Sequence, residues 1–337
     1  MAFLAIYCVA VVLLQLLLQV LLNLWNRNFF DCLERKDNHA LWTQVQLFVP
    51  LAAASIVLAA ASVWGRMTAQ RSWRQVMTRH VIDRWLHKER FLRLENFAKG
   101  SENPEYRIAV DVRIATDAPI DLTLALFSSV LTAITFFSVL WTVGGSIDFV
   151  AFGQSIRIPG YLGLSVIAYS GAISALMVLF GHHLTSVIER LNQTEAEFRA
   201  SADAISGESG HTEARKNDAE TLNDLRLKLQ AVLLFWREFC WQLIRITLVS
   251  HSNTLLAPVV AWFLCAPKYL NGTMTLGELT QAAAAFISVQ GAFNWLVDNY
   301  QRLADWRSSA QRVATLLIAL DELEAKELPA SPPPHER

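Results

Sequence analysis

Charge is scarce in this chain: 18% of its 337 residues are Asp, Glu, Lys or Arg, against 53% hydrophobic residues, and the mean hydropathy is +0.30. Ordinary soluble domains carry more charge and disordered chains far more, so both classes are excluded and a membrane protein is expected. An excess of either sign is also missing. Lys+Arg 29 against Asp+Glu 30 gives a formal charge of -1, without the basic surplus that nucleic-acid binding requires. Cysteine is sparse: Cys8, Cys32, Cys240 and Cys265 lie far apart with no C-x-x-C pair, so neither a disulfide framework nor a zinc site follows. No G-x-x-x-x-G-K-[ST] loop occurs in these residues, so the chain is not expected to be an enzyme by itself, and no metal or cofactor is expected.

Long apolar runs take the place of these missing features. A hydrocarbon core about 30 Å thick needs roughly 20 apolar helical residues, because lipid cannot satisfy an open backbone. Six segments meet that length: 2–24, 45–64, 122–143, 159–180, 238–264 and 276–297. The first three hold no formal charge, and the fourth is rich in Gly and Ser, which let helices approach closely in lipid. The fifth carries Arg245 and His251, and the sixth Glu278, Gln281, Gln290 and Asn294. Segment 2–24 lacks the basic start and small-x-small site of a cleavable leader, and reads as a true span.

Basic residues between the spans set the orientation. The first connection has Arg27, Arg35 and Lys36, whereas eleven lie between Arg66 and Arg113; the third connection has only Arg157, the fourth has seven, and the fifth only Lys268. Both termini are therefore expected in the cytoplasm. From Gly65 to about Phe97 there is no proline, and Trp73, Val76, Met77, Val81, Trp85 and Leu86 recur near helical spacing, so the second span is expected to run on as an amphipathic helix. Residues 182–193 and 222–237 suggest a second projection of the same kind. The expected fold class is all-α, a polytopic membrane protein with six transmembrane helices and long cytoplasmic extensions. A six-helix domain at 1–320 is followed by a charged, proline-rich tail or linker at 321–337, with no nucleotide-binding domain in the chain.

Two stretches have a recognisable pattern: NLWNRNFFDCLERKD at 23–37 and ENPEYRIAVD at 102–111. With GTMTLGELTQ at 272–281, GAFNWLVDNY at 291–300 and LADWR at 303–307, they resemble the SbmA/BacA-like ABC transporter membrane domains, a group that includes peroxisomal half-transporters. The resemblance covers nearly the whole chain. It implies an ABC exporter-type membrane domain, one half of a homodimer, moving peptides or similarly bulky hydrophilic solutes across a bacterial inner membrane. It also implies a cytoplasmic tip, at Asn103, Pro104, Arg107 and Asp111, that contacts a separate ABC ATPase. Tyr106 and Val110 depart from the family's Gln and acidic residue, and the family's second tip motif has no counterpart in 201–220. A proton gradient is the energy source expected first, in the SbmA/BacA manner; the alternative is an ATP-driven transporter whose ATPase domain is a separate or lost chain, and a non-transporting membrane scaffold is the rival from another class.

Ionisable and amide side chains within spans mark pathways by default. Arg245, His251, Gln281, Gln290, Asn294 and Asp298 are the candidates for a cavity or substrate path, of which Gln290, Asn294 and Asp298 share one helical stripe with Gln301. The structural alternative is hydrogen bonding between helices. Glu278, His251 and Asp298 are the candidates for proton coupling. The adjacent His182 and His183 point in different directions on a helix and suit an interface better than a metal.

Overall fold

The computed structural model describes residues 2–91, 104–151, 154–208 and 218–327. Helices dominate: α1 Ala2–Arg35, α2 Asn38–Leu86, α3 Val112–Gly144, α4 Tyr161–Gly181, α5 Leu184–Glu208, α6 Asp218–Leu270 and α7 Leu276–Glu327. A short helical turn, Pro104–Tyr106, and a π-helical turn, Arg107–Asp111, lead directly into α3. Between α3 and α4 the expected plain loop is an antiparallel hairpin, β1 Ser146–Ala151 and β2 Gln154–Pro159, with Ser146 opposite Pro159. Gly160 closes it at φ +60, where its amide donates to the Gly145 carbonyl at 2.7 Å and a Cβ would strike the Trp141 ring.

Five stretches are long and apolar enough to cross a membrane: Ala2–Arg35, Asn38–Glu89, Pro104–Gly144, Tyr161–Asp203 and Leu222–Leu270. The sixth expected span, 276–297, is helical as well but falls outside that group because Gln281, Gln290 and Asn294 dilute its apolar content. Its surroundings explain how a helix can be this polar. Gln281, Ala282, Ala283, Ala285, Phe286, Val289 and Gln290 are all buried, so protein rather than lipid surrounds the start of α7.

The chain divides into two compact units, 1–163 with 261–337, and 164–260. In the first, α7 packs most extensively on α3 and then on α1, while α2 pairs with α1 and α3. The extension of α2 ends at Leu86 rather than near Phe97. Lys88 and Glu89 turn the chain with φ 52 and φ 58, and the rest of that stretch lies outside the described residues. Met77, Val81 and Trp85 join Ile108, Val112, Val313, Leu316, Leu320 and Leu323 in an apolar core, while Val76 and Leu86 face outward. Past 320, α7 continues to Glu327 and buries Leu323 in that core. In the second unit the Tyr169 hydroxyl donates to Asn253 Oδ1 at 3.0 Å, and Gln242 Nε2 donates to the Phe180 carbonyl. Here the continuation beyond the fourth span is broken at His182 and His183 before α5 begins.

Candidate functional site

Three polar layers tie the first unit together. At one end, Thr275 caps α7: its Oγ1 accepts from the Glu278 amide at 3.1 Å, and Glu278 Oε2 accepts from the Thr275 amide at 3.1 Å. This reciprocal capping box satisfies two donors that a helix start leaves open. The end of α1 satisfies two more, with Glu34 Oε2 accepting from Leu276 N at 2.9 Å and Asp31 Oδ1 from Gly277 N at 2.9 Å. Arg27 then pairs with Glu278 at 2.8 Å, and Asn23 donates to the Gln281 carbonyl at 3.2 Å. The approach is so close that a Cβ on Gly277 would lie 2.1 Å from the Arg27 carbonyl oxygen. The two segments at 23–37 and 272–281 thus meet in space, and acidic side chains at a helix N-terminus also suit its dipole.

The middle layer centres on Asp121 of α3. Its carboxylate accepts from Gln70 at 2.7 Å and from Arg302 at 2.7 Å, and lies 3.5 Å from Arg66, so α2, α3 and α7 converge on one acid. Sequence reasoning missed this group, because the partners are separated by up to 181 positions and none has a distinctive motif.

The third layer is the tip. Asp111, 0% exposed, takes two hydrogen bonds from Arg312, at 2.8 and 2.6 Å, while Arg312 also donates to Ser308 and Ser309. Burial pushes the Asp111 carboxyl up, but the Arg312 hydrogen bonds and charge, with Ser309 and Arg107, outweigh it and hold the group below its ordinary value. The same contact raises Arg312. Arg107 is buried too, at 9% exposure, so Arg107 and Asp111 turn inward and build the tip. Pro104 starts the turn, Asn103 lies outside the described residues, and Glu105, Tyr106 and Ala109 are exposed here. At the rim, Arg84 pairs with Asp321 and, at 2.8 Å, with Glu324, which raises its pKa mainly through the Asp321 hydrogen bond.

The remaining predicted residues are dispersed. Gln281 and Gln290 are both buried, yet nine positions put them on opposite sides of α7, about 180° apart. Gln290 is inside, Asn294 half-buried and Asp298 exposed, so that stripe runs from the protein interior to its surface. Glu278 is engaged by Arg27 and by the cap. In the second unit Arg245 lines a cavity of about 680 Å³ with His183, Arg237 and Glu238, while His251 is exposed on α6 away from that lining.

Six apolar or protein-enclosed helical segments, with a helix-turn tip locked to the last long helix, define the membrane domain of an ABC transporter. Residues 1–269 match the family model for ABC transporter transmembrane region 2, and the chain belongs to that family. It is an integral membrane protein. Among its curated relatives, it is 26% identical over 325 residues to the inner membrane ABC transporter ATP-binding protein YddA of Escherichia coli, covering 92% of this chain and 56% of that one. It is 22% identical over 309 residues to the chloroplastic ABC transporter D family member 2 of Arabidopsis thaliana, covering 89% and 40%. An uncharacterised ABC transporter ATP-binding protein of Synechocystis is 25% identical, with 92% and 46% covered. The chain spans about half the length of the curated relatives it matches.

Proposed function

We propose that this chain is the membrane half of an ATP-driven transporter, working as a homodimer in a bacterial inner membrane with both termini in the cytoplasm. Its tip supports this reading. Buried Asp111, paired with partly exposed Arg312 over a three-helix apolar core, makes a stiff knob that presents Glu105 and Tyr106, and stiff packed helices can pass a push from a docked motor to the spans. The 337 residues hold no Walker loop, so the chain itself supplies no ATPase chemistry; a domain outside these residues or a separate subunit supplies it. The names of the relatives, ATP-binding proteins about twice as long, fit that division. Peptides or similarly bulky hydrophilic solutes are the proposed cargo, on the strength of the SbmA/BacA resemblance and of the polar stripe on α7.

A second reading, proton-driven uptake in the SbmA/BacA manner, is favoured by exposed Asp298 at the end of that stripe. His251, also exposed, is the other titratable candidate, while Glu278 is occupied by its cap and by Arg27. Native membrane vesicles, which contain whichever ATPase the chain works with, are the test. Uptake of a fluorescent proline-rich peptide is compared with ATP, with an imposed pH gradient, and in vesicles from cells lacking the chain. ATP-dependent transport that Tyr106→Ala weakens at least fivefold supports the first reading. Gradient-driven uptake without ATP, lost in Asp298→Asn, replaces it with the second, and no chain-dependent movement under either condition leaves the scaffold.

A further inference from the structure

The transport reading leaves the cavity in the second unit unused. It opens between His183, just before α5, with Val187 in its first turn, and the part of α6 from Leu234 to Arg245. Arg237, Trp241 and Arg245 are spaced four apart and so share one face of α6. Neither guanidinium has an ion-pair partner among the described residues. With His183 across the cavity and Glu238 the one acid in its wall, the lining is net positive.

The position of the cavity along α6 gives these charges their meaning. The fifth span begins near Glu238, and Arg245 lies seven residues further in, about 10 Å along the axis. A cation at that depth is costly unless water or an anion meets it. Trp236 and Trp241 are exposed at 49% and 59%, as amphipathic rings at the boundary between headgroups and hydrocarbon would be. Val187 and Phe235 add an apolar wall to the same cavity. Basic pockets between helices at this depth receive phosphate-bearing head groups, with acyl chains along the apolar side.

We propose that this cavity binds a phosphate group, supplied by a phospholipid head group, with Arg237 and Arg245 on the phosphate oxygens, His183 as a further donor and Trp241 beside the glycerol. Free inorganic phosphate offers the same oxygens but makes no use of the apolar wall. The test is native mass spectrometry of the full chain, purified in detergent and incubated with phosphatidylglycerol, phosphatidylcholine or inorganic phosphate. Phosphatidylglycerol is expected to remain bound to the natural chain. Retention falls at least fivefold in the double variant Arg237→Gln, Arg245→Gln, stays within twofold in Arg237→Lys, Arg245→Lys, and is unaffected by Arg79→Gln, an exposed cation elsewhere. Displacement of the lipid by millimolar phosphate keeps the anion site but makes free phosphate its occupant. Unchanged retention in the double Gln variant, or an equal loss in the double Lys variant, overturns the proposal.

Discussion

The two ends of the first unit join their helices by opposite means. Where α1 meets α7, carboxylates of Asp31, Glu34 and Glu278 accept from backbone amides, and the helices come so close that only glycine fits at 277. At the tip, side chain meets side chain: Asp111 and Arg312 form a two-bond pair beside a core of Val81, Ile108, Val112 and Leu316. A capped helix start is held by many modest bonds and tolerates the loss of one. A buried acid with a single strong partner does not, because its removal leaves cations facing an apolar core. The first end is thus built from many backbone bonds, and the second as a block packed around one buried acid.

Asp111→Ala therefore carries the largest expected effect, a loss of about 3 kcal/mol of tip stability, discounted from a fully buried pair because Arg312 is partly exposed. Thermal unfolding in detergent, with protease cutting near the tip as a local readout, checks it; an unchanged midpoint would contradict the block description. Acid should reproduce this loss. Since the folded Asp111 carboxyl lies below its ordinary value of 3.8, the unfolded chain takes up the proton first, and stability falls with pH. The contribution is complete above about 3.8 and is lost as pH drops from there through the lower folded value, whereas Asp111→Asn should lack this acid limb. Next in size is Gly277→Ala, at about 2 kcal/mol, because the added methyl meets backbone of Arg27 and the two helices must separate. A cross-link between cysteines placed on α1 and α7 would report that separation directly.

Much of this architecture could be read from the residues, and the parts that could not share one cause. Apolar length marks the spans, and the Met77, Val81 and Trp85 spacing marks the face that α2 buries at the tip, since both are local patterns. The Thr275-Leu276-Gly277-Glu278 capping box is local too and could have been recognised as the start of α7. Non-local matters were hidden. Nothing in the sequence says that Glu278 meets Arg27, that Asp121 gathers Arg66, Gln70 and Arg302, or that Arg107 is buried. Periodicity puts Gln290, Asn294 and Asp298 on one stripe, yet which part of that stripe is enclosed depends on neighbouring helices that pattern alone does not locate. The end of α2 at Leu86 was illegible because the turn there uses Lys88 and Glu89 at positive φ rather than glycine or proline.

Smaller substitutions sharpen the contrast between the two ends. Arg27→Ala removes the ion pair to Glu278 and a longer one to Asp31, at 3.9 Å, while Thr275 and Glu278 still cap each other, so a loss of only about 1 kcal/mol is expected. Smallest of all is Arg84→Ala at the tip rim. Its partners Asp321 and Glu324 are 60% and 50% exposed, so water and salt screen the pair and the expected cost stays below about 1 kcal/mol at moderate ionic strength. That cost should shrink further in 1 M salt, while the effect of Asp111→Ala should persist. A salt titration of both variants reads the difference. Equal salt sensitivity would mean that water reaches Asp111, and the tip would then be an exposed charge cluster like its rim instead of a block packed around a buried acid.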